Sequence, residues 1–187
     1  MFSVERIRFE MFRYLLKTFF SKKTFTRTGS AFLGAEVKEV GEKIHGKVKK
    51  MFKGSLAIRV VTAGSTNACE QELVALGNPF YDVERFGVHI VASPRHADML
   101  IVTGPVSRNM RRALIETYEA TPDPKIVVAL GDDAINGGVF KGSYAVLDGV
   151  KNVIPVNYEI AGDPPSPQTI LNSLLAILGD MELKNRK

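Results

Sequence analysis

Short apolar runs without polar alternation are the feature of this sequence that most restricts its fold. Strands buried on both faces have this composition, because helices cover both sides of a parallel sheet. The runs are Leu56–Thr62, Val88–Val91, Met99–Thr103, Ile126–Leu130 and Val153–Val156. They therefore predict an α/β fold of the three-layer, flavodoxin-like type, with a mainly parallel sheet.

Helical stretches separate these runs, as the alternation of strands and helices in such a fold requires. They are predicted at Cys69–Leu76, Arg108–Glu119 and Pro167–Leu178. With 187 residues and 45% hydrophobic content, the chain is long enough for one substantial core and an appendage. We expect a basic helical extension and linker at residues 1–53, one domain at 54–180 and a tail at 181–187.

The extension is strongly basic, with 13 Lys and Arg against 5 Asp and Glu in residues 1–53. Met1–Phe20 has near-helical apolar spacing, which predicts an amphipathic helix at a lipid interface or on a membrane-embedded partner. Docking on its own domain is the alternative. Charged residues interrupt the segment too often for a membrane-spanning helix. Ser21–Gly34 is predicted as a linker and Glu36–Phe52 as a second helix. A nucleic-acid partner is not expected, because it would rest on the basic segment alone.

The only cysteine, Cys69, lies in the loop Gly64–Glu72 directly after the first apolar run. Ligands of doubly wound sheets bind at the carboxyl ends of the strands. Two further loops follow apolar runs and contain Gly131-Asp132-Asp133 and Gly162-Asp163-Pro164-Pro165. The three loops are therefore predicted to converge on one site.

Two motifs identify a family resemblance, Tyr81–Gly87 and Ser93–Gly104. Both closely resemble the small subunit of membrane-bound group 4 nickel-iron hydrogenases and the homologous 20 kDa subunit of respiratory complex I. Further matching segments are Thr121–Lys125, Asn136–Phe140, Ile154–Val156 and Pro164–Pro167. The resemblance covers roughly residues 56–178 and leaves the N-terminal extension outside.

In that family, four cysteines hold one four-iron four-sulfur cluster. The corresponding positions here are Thr66, Cys69, Asp133 and Asp163, so one cysteine of the four remains. Clusters of this type are held by thiolates, and carboxylates and hydroxyls are hard ligands. The comparison with the family therefore implies that the cluster is lost, and no metal is expected in its place.

Several polar residues have more than one interpretation. Asp133 and Asp163 would hold a cation, pair with a basic residue of a partner, or accept hydrogen bonds from loop amides and water; the third is favoured. Glu70 and Glu72 match acidic positions that are linked to proton movement in the family. Alternatively, they are acidic only because the N-terminus of a helix favours negative charge. Arg95 and His96 are candidates for the subunit interface or for a remnant of the substrate cavity. No residue is expected to be catalytic.

The resemblance implies a subunit that is not an enzyme alone and that supports the junction of a large subunit and a membrane arm. The implied partners are a hydrogenase-like large subunit, a ferredoxin-like subunit, and antiporter-like and quinone-site-type membrane subunits, on the cytoplasmic side of the membrane. One alternative is an electron-transfer subunit with an unusually ligated cluster. A second is a flavin or nucleotide binder that uses the turn at residues 62–68.

Overall fold

A computed structural model describes residues 30–184 of the chain. Its α-helices and strands are α1 (Ser30–Met51), β1 (Leu56–Thr62), α2 (Ala68–Ala75), β2 (Val88–Ile90), β3 (Met99–Thr103), α3 (Arg111–Ala120), β4 (Ile126–Leu130), α4 (Asp132–Asn136), β5 (Tyr158–Ile160) and α5 (Pro167–Lys184). Short 3₁₀ helices cover Val83–Phe86, Pro94–His96, Gly138–Phe140 and Val150–Asn152.

The five strands form one sheet in the order β2-β1-β3-β4-β5, and every neighbouring pair is parallel. This is the order of a flavodoxin-like sheet, so the predicted fold class is confirmed. Strands β1, β3 and β4 have the predicted bounds, and all residues of the central β3 and β4 are buried. The carboxyl ends of the strands lie at one edge of the sheet, which we call the carboxyl edge, and the opposite edge is the amino edge.

One face of the sheet is covered by α1, α2 and α5. In α1, Val37, Ile44 and Val48 are fully buried, and the last two pack in the same core cluster as Leu56. A compact unit of the chain begins at Gly34, well before the predicted boundary at residue 53. The residues predicted as the second helix of the extension therefore form part of the core, because their apolar face at helical spacing packs against this side of the sheet.

The other face is covered by α3 and by the long connection between β4 and β5. The predicted strand Val153–Val156 is wrong, since these residues lie in that connection and Ile154 is buried in its core cluster. Pairing with β4 begins later, where the Asn157 amide donates to the Val127 carbonyl at 2.9 Å. The strand itself is Tyr158–Ile160.

Three predicted segments have different bounds in the structure. α3 begins at Arg111, after a turn in which the Met110 and Arg111 amides donate to Ser107. α5 continues to Lys184, through residues predicted as a tail, and its last turn carries an ion pair between Lys184 and Asp180 at 2.6 Å. The predicted linker is helical from Ser30 onward, and the predicted helix Met1–Phe20 lies outside the described residues. None of the helices within residues 30–184 is long and apolar enough to cross a membrane.

Candidate functional site

The loops after β4 and β5 are joined by hydrogen bonds at the carboxyl edge. The Asp132 amide donates to the Gly162 carbonyl at 3.0 Å, and the Gly162 amide donates to Asp132 Oδ1 at 2.9 Å. The Gly131 amide also donates to the Ile160 carbonyl at 2.8 Å. These reciprocal bonds fix one loop against the other. Asp132 makes the side-chain contact, a role that we did not predict from the sequence.

Cys69 occupies the first turn of α2 and is 8% exposed. Its sulfur lies against the backbone of Gly131, where a Cβ atom would be only 2.6 Å from Sγ. Burial raises the pKa of the thiol to about 11, with further contributions from the charges of nearby carboxylates, Glu70 first and then Asp133 and Asp163. Cys69 is therefore a protonated thiol at neutral pH, packed as a small apolar group.

Glu70 is the best-bonded carboxylate of the site. Ser65 Oγ lies 2.6 Å from both of its carboxylate oxygens, and the buried Thr103 hydroxyl at the end of β3 donates to Oε1. Burial acts to raise the pKa of Glu70, but these hydrogen bonds, with one from its own backbone amide and one from Thr62, hold it below its ordinary value. Glu70 is thus ionised and ties the loop after β1 to the neighbouring strand.

Asp133 is 7% exposed and lies under the turn that follows α4. A Cβ atom on Gly138 would be 1.9 Å from Asp133 Oδ1, so only glycine leaves room for the carboxylate. Oδ1 has no hydrogen-bond partner among the described residues, and the Val139 backbone amide hydrogen-bonds to the carboxylate. Burial, followed by the charges of Asp163 and Asp132, raises the pKa of Asp133. The carboxyl group is therefore covered by its own loop.

Three other predicted residues of this edge have few contacts. Thr66 and Asp163 are exposed, and neither side chain has a hydrogen bond or ion pair within residues 30–184. Glu72 is half-buried on α2, likewise without such a partner in the described part of the chain. Of the two predicted loop-amide acceptors, Asp133 accepts the Val139 amide and Asp163 accepts none within the described residues, whereas Asp132 accepts the Gly162 amide.

Arg95 and His96 lie at the amino edge instead. They belong to the 3₁₀ helix Pro94–His96 and line a cavity with residues 51–53 and 122–124, which directly precede β1 and β4. The length of β3, about 13 Å at 3.3 Å per residue, separates this cavity from the carboxyl edge. The structure therefore does not bring Arg95 and His96 together with Cys69, because they precede β3, whereas Cys69 follows β1.

The fold and the loop arrangement define the class of this protein. It is a flavodoxin-like α/β protein whose loops at the carboxyl edge present one thiol and several carboxylates. The family described as NADH ubiquinone oxidoreductase, 20 Kd subunit, matches residues 67–177. The chain belongs to this family.

Individual relatives agree with this assignment. An uncharacterized protein of Methanocaldococcus jannaschii is 42% identical over 146 residues, which are 74% of this chain and 98% of the relative. Formate hydrogenlyase subunit 7 of Escherichia coli is 40% identical over 72% of this chain, and the match spans only 53% of that subunit. Among solved structures, a chain of the archaeal membrane-bound sulfane sulfur reductase is similar, with a TM-score of 0.61, 33% identity and 74% coverage of both chains.

The cluster implied by the family resemblance can be tested against the donors present. Its four positions carry one thiol packed on a glycine, one carboxylate buried under Gly138, and two exposed oxygen ligands on Thr66 and Asp163. Iron-sulfur clusters are held by cysteine thiolates, and oxygen donors favour hard cations. These residues do not fit a four-iron four-sulfur cluster. Within residues 30–184, no group of three or more His, Cys, Asp or Glu is arranged to hold a metal ion.

Proposed function

We propose that this chain is a cluster-free subunit of a membrane-bound, hydrogenase-like or complex I-like oxidoreductase assembly. On this proposal it supports the junction between a hydrogenase-like large subunit and the membrane arm, and it is not catalytic by itself. Its further partners are a ferredoxin-like subunit and antiporter-like and quinone-site-type membrane subunits. The assembly faces the cytoplasm, with Met1–Phe20 at the lipid interface.

The observation that carries the proposal is the packing of the Cys69 sulfur against Gly131. Cys69 is the only cysteine of the chain, and the close approach of Gly131 leaves no space between the sulfur and the next loop. The Asp132 and Gly162 hydrogen bonds tie that loop to the one after β5. A cluster needs thiolates and room, and this edge offers one protonated thiol.

The names of the relatives support the proposal that the chain belongs to a multi-subunit assembly. Formate hydrogenlyase and the membrane-bound sulfane sulfur reductase are both multi-subunit systems by their descriptions, the second an archaeal respiratory membrane complex. The chain keeps the core of the family fold, in which β3 and β4 are fully buried. A protein that retained this fold and lost the cluster ligands would keep the contacts of the subunit without its electron transfer. The basic residues of the N-terminal segment fit an anionic lipid surface.

The test compares iron binding by the full-length chain and by its Cys69→Ser variant. Each is purified, incubated anaerobically with iron and sulfide, and analysed for iron, acid-labile sulfide and paramagnetic signals after reduction. We expect both proteins to contain no stoichiometric iron. Cys69→Ala serves as the matched control, because it removes the sulfur without adding a buried hydroxyl.

A different result would favour electron transfer. About four irons per chain in the wild type, lost in both Cys69 variants, would show that oxygen ligands complete a cluster here. The second arm is co-purification of the chain with its large subunit. If Cys69→Ala abolished this association while the variant remained folded, Cys69 would be more than a packed apolar group, and the cluster-free proposal would be wrong.

A further inference from the structure

A second cavity lies at the amino edge of the sheet, at the opposite end from Cys69. It has a volume of about 400 Å³ and is lined by residues 51–53, 95–98 and 122–124. These three segments precede β1, β3 and β4, which are adjacent in the sheet, so the topology itself brings them together. Volumes of this size are typical of small-molecule sites.

The acidic groups of this cavity already have partners. Asp98 Oδ2 accepts the Ala57 amide at 2.9 Å, which fixes the start of β1 against β3. Asp123 lies 3.7 Å from the Lys125 ammonium group, which also donates to the carbonyls of Tyr118 and Thr121. The carboxylates that line the cavity therefore already have partners within the protein.

The basic groups of the cavity have no such partners within residues 30–184. Lys53, Arg95 and His96 are exposed, and within residues 30–184 no side-chain hydrogen bond or ion pair engages any of them. They come from two different segments and line the same cavity. Apart from the two carboxylates, the rest of the lining is largely apolar and includes Phe52 and the rings of Pro122 and Pro124. The groups of the cavity that remain available are therefore hydrogen-bond donors, among them the positive charges of Lys53 and Arg95, and they lie next to apolar side chains.

We propose that this cavity binds a phosphate ester, with the phosphate held by Lys53, Arg95 and His96 and the apolar part of the ligand against Phe52 and the prolines. A guanidinium group binds phosphate through two parallel hydrogen bonds, and an ammonium group adds a point charge. Such an ester is either the headgroup of a phospholipid or a soluble nucleotide. The proposal does not depend on the loss of the cluster at the carboxyl edge.

The experiment titrates the ¹⁵N-labelled full-length chain with three probes and follows amide shifts by NMR. The probes are inorganic phosphate, adenosine monophosphate, and dihexanoylphosphatidylglycerol below its micelle concentration. Monomeric probes are needed because the basic N-terminal segment would itself bind anionic vesicles. We expect one ester to shift the amides of residues 52–53 and 95–98 and to bind more tightly than inorganic phosphate. Preference for the lipid identifies a headgroup site, and preference for the nucleotide identifies a soluble ligand.

The variants are Arg95→Gln, Lys53→Gln and His96→Gln, with Lys141→Gln as the control. Lys141 is an exposed lysine outside the cavity, in the loop after Gly138–Phe140. We expect Arg95→Gln to weaken ester binding about tenfold, the equivalent of one charge-assisted hydrogen bond, and the control to leave it unchanged. Unchanged melting temperatures show that the variants fold.

Three results would overturn the proposal. The first is the absence of shifts at the cavity with all three probes. The second is binding that Arg95→Gln, Lys53→Gln and His96→Gln all leave unchanged. The third is binding of inorganic phosphate as tightly as of either ester, because the apolar wall would then have no role.

Discussion

Gly131→Ala tests the closed packing of the carboxyl edge directly. Gly131 has φ 90° and ψ 155°, a conformation that is essentially restricted to glycine, and a side chain there costs about 1–3 kcal/mol. The added Cβ would also lie 2.6 Å from Cys69 Sγ, and such overpacking costs about 1–3 kcal/mol more. We therefore expect a loss of about 2–6 kcal/mol in the free energy of unfolding, a large share of the roughly 5–15 kcal/mol of a typical domain.

A double-mutant cycle separates the two contributions. Wild type, Gly131→Ala, Cys69→Ala and the double variant are unfolded in urea, and their unfolding free energies are compared. Cys69→Ala removes the sulfur that the new methyl group would meet, so we expect the double variant to recover about 1–3 kcal/mol relative to additivity. Gly142→Ala is the control, because Gly142 has φ 76° with no atom within 4 Å of the added Cβ. It should lose only about 1–2 kcal/mol.

The reasoning would be refuted by additive effects in the cycle together with a loss for Gly131→Ala no larger than that for Gly142→Ala. In that case the sulfur of Cys69 would have free space in front of it. The carboxyl edge would then be open, as a bound inorganic cofactor requires, and the cluster-free interpretation would lose its structural support.

Two further predictions concern the carboxylates of the same edge. Asp132→Ala should destabilise the chain by about 1–3 kcal/mol, because the Gly162 amide loses its acceptor, whereas Asp163→Ala at an exposed position should be nearly neutral; equal losses in urea unfolding would contradict this assignment. The pKa of Glu70 is lowered in the folded protein, so its carboxylate stabilises the folded state at pH values above the ordinary glutamate pKa of 4.5. This stabilisation is lost as the pH falls through the lower pKa of the folded state. Unfolding measured from pH 7 to pH 3 should therefore show a smaller acid-induced loss in Glu70→Gln than in the wild type, and parallel curves would contradict it.

The sequence by itself determined the fold class and three of the strands to the residue. The runs of β3 and β4 predict strands covered on both faces, because neither has a polar side for solvent, and the run of β1 is interrupted only by Arg59 before its last residue. It also determined that the chain has a single thiol, since that follows from residue identity alone. The family motifs of residues 81–104 indicated the family that the comparisons confirmed.

Only the tertiary structure decided which residues of the carboxyl edge hold it together. Asp132 and Asp163 look equivalent in the sequence, yet the first bonds the Gly162 amide and the second is exposed, because loop geometry and not residue type directs each carboxylate. The same holds for Val153–Val156, an apolar segment that covers the sheet instead of joining it. Periodicity reports that such residues are buried, and it does not report what they are buried against.

The placement of Arg95 and His96 shows the limit of sequence reasoning most clearly. Their motif identifies the family, and this led us to consider them as candidates for the subunit interface or for a remnant of the substrate cavity. The structure sets them before β3, at the amino edge, where strand direction separates them from Cys69 by the length of the sheet. In a parallel sheet a segment that precedes its strand along the chain lies at the amino edge, so the predicted strand Met99–Thr103 already implied this edge. What the tertiary structure decided is which strands are neighbours, and therefore that the segments before β1, β3 and β4 line one cavity there.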